Sequence, residues 1–259
     1  MKVMILAAGL GTRLRPLTLE RAKPAIPLLG KPLMVRLILN LLDQGAQSFR
    51  INLHHLPHTI EELFDEPSWS RLPVSFSHEP RILGTAGGLK ANEAFFDQGT
   101  FLMANGDIVL DASLKDAVAF HRERGALATL ILFPQSAPFR HYPMRIDDEF
   151  RLAHFKGFVS GRPLRPETYV FTGVHILEPE IFEYISPATF SSITDEAYVN
   201  ALNHGKPVLG YPVDGYWNDL GDPRRYLEVQ RDLLSASGRN PSVVLSPEAR
   251  VHASSRVGP

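Results

Sequence analysis

The sequence has no cysteine. A disulfide framework and thiolate chemistry are therefore excluded. Net charge is also scarce: 27 Lys and Arg stand against 28 Asp and Glu, leaving −1. No bulk pull towards nucleic acid or an anionic membrane follows, so any positive charge that matters is local. Long hydrophobic runs are missing, and the apolar stretches fall far short of a membrane span. The short run after Lys2 leads into a Gly- and Arg-rich loop rather than a small-residue cleavage site, so it reads as a buried strand, not a leader. A soluble cytoplasmic protein is the expectation. Two phosphate loops are absent as well. There is no G-x-x-x-x-G-K-[ST], and no G-x-G-x-x-G, because Leu14 stands where the third glycine would follow Gly9 and Gly11.

What is present is 259 residues, 44% hydrophobic. That is enough for the core of one large domain, with room for an appendage. Residues 2–7 read as a strand buried on both faces. Apolar spacing then predicts a helix over 32–45, a strand over 48–53, a short helix, a strand at "LPVSFS", a helix at "AGGLKANEAFF" and a strand over 100–105. "SLKDAVAFHRERG" reads as a helix with Ser113 as cap and Gly125 as stop, and "ALATLILFP" as a buried strand. Such alternation predicts an α/β fold, Rossmann-like and doubly wound, with a mostly parallel mixed sheet and ligands outside the carboxyl ends of its strands.

Residues 136–168 read as loops and short antiparallel strands, and 168–177 as a strand. "ITDEAYVNALNHG" reads as a helix capped by Thr194. "KPVLGYPV" reads as a strand, and the last helix starts at cap Asp222 with Pro223 in its first turn and stops at Gly238. In the tail Leu245, Val251 and Val257 recur with a six-residue period, the pattern of a β-helix coil.

The opening stretch "MILAAGLGTRLRPLT" carries the chemistry. A strand ending in "AAGLGTR" delivers several backbone N–H groups into a small volume, with small side chains that keep no ligand away. Glycines permit the positive φ that converges such groups into an anion nest. Arg13, Arg15 and Lys23 add fixed charge. The expected target is a polyphosphate. "HHLPH" at 54–58 invites a metal reading, but Pro57 disfavours one helix and no carboxylate stands at ligand spacing, so a structural role is expected.

"GLGTRLRPLT" followed by "KP" resembles the signature of the sugar-1-phosphate nucleotidyltransferases. "LGTAGGL", "NGDIV", "FTGVHILEPEIF" and "GYWNDLGDPRRYL" follow in the family's order, so the resemblance covers nearly the whole chain. It implies the nucleotide-diphospho-sugar transferase fold, sometimes followed by a left-handed β-helix. Residues 1–238 would be the catalytic domain, and 239–259 a linker and the start of that β-helix. The reaction implied joins an NTP and a sugar-1-phosphate to give an NDP-sugar and pyrophosphate.

The resemblance assigns Arg13 to the triphosphate and makes Lys23 the catalytic lysine. It places Leu6, Ala7, Ala8, Gly9, Gly11 and Thr12 around the nucleotide, with Glu79, Gly84 and Thr85 at the base. A Glu79 carboxylate could accept from guanine N1–H and its 2-amino group together, which leans towards GTP and a mannose-1-phosphate guanylyltransferase-like enzyme. Asp107 and Asp219 match the metal-binding carboxylates, with Mg²⁺ expected. Asn105, Lys156, Thr172 and Gly173 fall at the sugar phosphate. There the pattern is broken: Pro143 follows Tyr142, Phe155 stands in place of an acid before Lys156, and Thr172-Gly173 replaces Asn-x-Gly. A uridylyltransferase acting on a sugar-1-phosphate or amino-sugar-1-phosphate is the alternative substrate reading, and a non-catalytic nucleotide-sugar-binding regulator the alternative class. No nucleic acid or membrane partner is expected; a homo-oligomer through the tail is.

Overall fold

The computed structural model describes residues 1–135, 142–156, 158–186 and 190–236. Nine strands matter to the site: β1 (Lys2–Leu6), β2 (Ser48–Leu53), β3 (Val74–His78), β4 (Phe101–Asn105), β5 (Ile108–Asp111), β6 (Ala128–Pro134), β7 (Tyr169–Leu177), β8 (Val208–Pro212) and β9 (Tyr216–Asp219). Six helices join them: α1 (Leu33–Asp43), α2 (His58–Asp65), α3 (Gly84–Lys90), α4 (Lys115–Glu123), α5 (Tyr198–Asn203) and α6 (Pro223–Ala236).

Seven strands form one sheet in the order β8-β6-β7-β4-β1-β2-β3. Only β7 runs antiparallel to its neighbours, so the sheet is mixed and mostly parallel. Burial of both faces explains the unbroken apolar runs of β1 and β6. Val3 and Ile5 pack into a core with α1 and α2, and Met4 into a second core on the opposite face. The register aligns the strand ends: Leu6 is opposite Asn52 on one side and Asn105 on the other. Whatever follows those three residues leaves the sheet at one level.

β5 and β9 form a separate antiparallel pair, which the sequence reading left unassigned, with Asp219 opposite Ile108. Two expected caps are corrected. The N–H of Leu114, ahead of α4, donates to the Gln44 side chain, so Ser113 does not cap that helix. Ser192 rather than Thr194 accepts from the Asp195 N–H, at the start of a wider turn over Ile193–Ala197 that precedes α5. Asp222 does cap α6, accepting from the Arg225 N–H at 3.0 Å. The six-residue repeat, the boundary at 238/239, the Gly238 stop and the tail-mediated oligomer all lie outside the described residues. No helix among the described residues is long and apolar enough to cross a membrane.

Candidate active site

A cavity of about 400 Å³ opens at the aligned strand ends. Leu6, Ala7, Ala8, Gly9, Gly11, Thr12 and Arg13 form one wall, Gly84 and Thr85 another, and Lys23, Asn105 and Asp107 the floor. The loop after β1 turns because Gly11 sits at φ 61°; a Cβ there would lie 2.8 Å from Thr18 Cγ2. Thr18 Oγ1 also donates to the Gly11 carbonyl at 2.9 Å, folding the loop back on itself. Buried Leu14 pins its far side, leaving Arg13 exposed beside the cavity.

Lys23 is only 8% exposed. Its Nζ lies 2.5 Å from Asp107 Oδ2, so a buried cation and a half-buried carboxylate neutralise each other on the cavity floor. Asp107 and Asp219 are distant in sequence, yet the β5–β9 ladder brings them together: the Leu220 N–H donates to the Asp107 carbonyl at 3.0 Å. Asp219 is ion-paired with Arg225, and both side chains are largely buried. A Cβ on Gly221, which lines the cavity, would lie 3.6 Å from Asp219 Oδ2 and 3.7 Å from Arg13 Nη1. Asp219 thus stands at the cavity edge rather than on its wall.

Glu79 is placed differently from expectation. It is 4% exposed and does not line the cavity. Oε1 accepts from Asn52 Nδ2 at 2.7 Å and Oε2 from the Leu83 N–H at 3.0 Å. Asn52 Oδ1 in turn accepts from the Ala7 N–H at 2.8 Å. Ala7, Asn52, Glu79 and Leu83 therefore form one buried relay tying three strand ends to the loop before α3. Gly88 makes room for it; a Cβ there would fall 2.6 Å from Glu79 Oε1. Both carboxylate oxygens are engaged by these partners, and the side chain supports the walls of the cleft.

The sugar-side residues take up different positions relative to the cavity. The Thr172 hydroxyl donates to the Ile131 carbonyl at 2.9 Å, and its own carbonyl accepts from Trp217 Nε1 at 2.8 Å, so Thr172 is a buried structural residue. Gly173, at φ 86°, backs onto Asn105, whose Nδ2 a Cβ would meet at 2.6 Å. Gly173 acts by seating Asn105. Lys156 is outside the cavity wall, its Nζ 2.9 Å from Asp195 Oδ1 and 2.8 Å from Thr194 Oγ1. Asp195, 39 positions further on, supplies the acid that Phe155 cannot. His54 and His55 bind the Glu79 and Thr18 carbonyls, consistent with a structural role.

Asn52, Ile82, Gly221 and Arg225 were not singled out from the sequence. Asn52 did carry a signal: a polar side chain near the carboxyl end of an otherwise apolar strand, where ligands bind. Gly84, the first residue of α3, has no room for a side chain. Its φ is 76°, and a Cβ would lie 2.4 Å from the Ser191 carbonyl oxygen. Gly84→Ala is expected to cost about 2–4 kcal/mol of stability through left-handed strain and overpacking. Urea unfolding checks it; a change under about 0.5 kcal/mol, the range of an ordinary surface substitution, contradicts the clash.

The fold is an α/β domain with a glycine-lined cleft at its aligned strand ends. The family model described as nucleotidyl transferase matches residues 2–236, and the chain belongs to that family, among the sugar-1-phosphate nucleotidyltransferases. It is 34% identical over 256 residues to a UTP–glucose-1-phosphate uridylyltransferase from Synechocystis, covering 93% of this chain and 65% of the relative. It is 29% identical over 259 residues to a mannose-1-phosphate guanyltransferase from Schizosaccharomyces pombe, covering 95% and 68%. The chain thus spans about two thirds of the length of these curated relatives. Its fold matches HddC from Yersinia pseudotuberculosis with a TM-score of 0.73 at 23% identity, over 90% of this chain and 99% of that one.

Proposed function

We propose that this chain transfers a nucleotidyl group from an NTP to a sugar-1-phosphate, releasing pyrophosphate. The observation that carries it is the gathering of Lys23, Arg13 and Asp107 around a glycine-lined loop at the aligned strand ends. The sugar phosphate oxygen attacks the α-phosphorus in line and pyrophosphate leaves. The attacking phosphate is already ionised at neutral pH, so no general base is required. Positioning and neutralisation of two polyanions supply most of the acceleration.

Backbone N–H groups of the loop from Ala8 to Thr12 receive phosphate oxygens, and the planar fork of Arg13 suits the departing pyrophosphate. Lys23 stabilises charge gathering between the attacking and α-phosphates. Two neighbouring carboxylates, Asp107 just before β5 and Asp219 at the end of β9, are a donor set that suits Mg²⁺ and would hold it. When bound, the ion would supply Lewis-acid stabilisation of charge on the α-phosphate.

For the substrates we favour GTP with mannose-1-phosphate, following the guanyltransferase relatives. UTP with glucose-1-phosphate is the second reading, carried by the uridylyltransferase relative. Pyrophosphate release across GTP, UTP, dTTP, ATP and CTP, each with several sugar-1-phosphates, tests both. Release from none of them refutes the enzyme and leaves a nucleotide-sugar-binding regulator.

Because the Glu79 carboxylate is spent on Asn52 and Leu83, Glu79→Gln is expected to lower kcat/KM for GTP and UTP by the same factor. Its amide turns a donor towards one of two donors, a mismatch of about 1–3 kcal/mol, or roughly tenfold or more. A loss confined to GTP would return Glu79 to the base.

A further inference from the structure

A second cavity, of about 510 Å³, opens at the far end of the sheet. Pro207 and Val208, where β8 begins, line it, and so does Arg124, just past the end of α4. β4, β6 and β8 run in one direction, because β7 is antiparallel to β4 and β6 while β8 is parallel to β6. The glycine-lined cleft lies at the carboxyl ends of the strands and this cavity at the amino end of β8. The two share no lining residue.

Four cations line the second cavity, Arg124, Arg151, Arg162 and Lys206, and no carboxylate does so among the described residues. In a chain of net charge −1 that is a local concentration of one sign. The helix macrodipole accounts for Arg124 and Lys206, which follow the C-terminal ends of α4 and α5. It does not account for Arg151 and Arg162, which come from the region of the hairpin strands Arg145–Ile146 and Leu152–Phe155. The acids that hold these cations stand outside the lining. Asp147, its side chain 8% exposed, accepts from the Arg151 N–H at 2.8 Å and pairs with Arg162 Nη1 at 3.3 Å. Glu149 takes Arg151 through Nε at 3.3 Å, and Glu180 takes Lys206 through Nζ at 2.5 Å. The Gly210 N–H donates to the Phe150 carbonyl at 2.8 Å, which fastens the hairpin to β8. Three of the four head groups are therefore tethered before any ligand arrives. A guanidinium has five N–H donors, and one carboxylate contact uses only a fraction of them. Beside the charges lies an apolar shelf of Leu202, Pro207 and Phe158, the last packed on Phe155 with ring centroids 5.4 Å apart.

We propose that this cavity binds a phosphate monoester of a small metabolite, with the phosphate among the arginines and the organic body on the shelf around Phe158. It is a ligand site separate from nucleotidyl transfer. The three terminal oxygens of a phosphate dianion can meet more than one guanidinium fork at once. A concave pocket of this size suits a small molecule rather than an extended polyanion.

The test is isothermal titration calorimetry of the full chain with AMP, glucose 6-phosphate and inorganic phosphate. Wild type is compared with Lys23→Ala, the double variant Arg124→Gln/Arg151→Gln, and Glu149→Gln, with thermal melting as the control for folding. Arg162 is left in place, because its loss would strand the buried Asp147 carboxylate. At least one ester should bind Lys23→Ala within about twofold of wild type and the double variant at least about tenfold more weakly. Glu149→Gln removes a competitor for Arg151 and should tighten binding by about twofold or more, a gain that a damaged fold does not produce. Binding of AMP alone identifies a nucleotide as the source of the phosphate, and binding of glucose 6-phosphate alone a sugar phosphate. Affinity lost in Lys23→Ala but kept in the double variant puts the ligand in the cleft and overturns the second site. Inorganic phosphate binding as tightly as both esters overturns the role of the shelf and with it the ester. Binding of none of the three overturns the proposal outright.

Discussion

Replacing Lys23 by Ala is expected to lower kcat by at least ~10²-fold while the protein stays folded. Removing one preorganised charge from a developing transition state costs about 2.7–4 kcal/mol. Lys23 is buried and rests on Asp107 at 2.5 Å, so it is already desolvated and fixed. The ammonium therefore needs little reorganisation when a phosphate arrives. The effect should fall on kcat more than on KM, because the contact strengthens as charge concentrates on the α-phosphate. Asp107→Asn should lose a similar factor that excess Mg²⁺ does not restore. Steady-state kinetics at saturating metal, with thermal melting as the control for folding, measure both. Turnover within about threefold of wild type in either variant sinks the catalytic assignment.

Acid should destabilise the fold through His175. This histidine of β7 is fully buried and shares a 2.5 Å hydrogen bond with the Tyr198 hydroxyl, while the Phe171 ring stands edge-on at 4.5 Å. Burial disfavours the imidazolium and lowers its pKa to about 3. The unfolded chain takes up that proton near pH 6.5, so between about 6.5 and 3 the unfolded state binds more protons than the native one. Stability therefore falls as pH falls, by about 1.4 kcal/mol per pH unit at its steepest and by about 4 kcal/mol at pH 3. His121 of α4, held by Thr129 and Glu178, is shifted downward by burial as well and acts in the same sense. His175→Gln keeps a partner for the tyrosine but cannot titrate. Denaturant unfolding from pH 7.5 to 4 should show the wild type losing up to one proton's worth of slope more than the variant. Parallel curves contradict a neutral buried His175.

The phosphate loop and the sheet were legible because their signals are local. Small residues after an apolar strand have one economical use, and the alternation of strand and helix implies a parallel sheet without knowledge of any contact. Pro223 after Asp222 located α6 for the same reason. What the sequence hid depends on direction. Glu79 reads as an acid near a ligand; nothing local shows that its carboxylate turns inward to Asn52 and Leu83. Thr172 likewise spends its polar atoms within the core. The β5–β9 pair escaped notice because each strand is four residues long and its partner lies more than one hundred residues away. Lys156 finds its acid only in three dimensions, on the turn that leads into α5.

That late pairing also sets an order of events in time. β5 leaves the ribosome early, directly after the strand that carries Asn105, whereas β9 and the first turn of α6 come last among the described elements. Closing so long a loop must precede any reward from the contacts it brings, so the ladder belongs to the slow, non-local part of folding. A nascent chain shorter than about 215 residues already contains the whole glycine loop, Arg13, Lys23 and Asp107, but not Asp219 or Arg225. It can form a polyphosphate cradle before it can form the paired carboxylates. Formation of the glycine loop is therefore separated from formation of the paired carboxylates, which come together only when the last strand is laid beside β5.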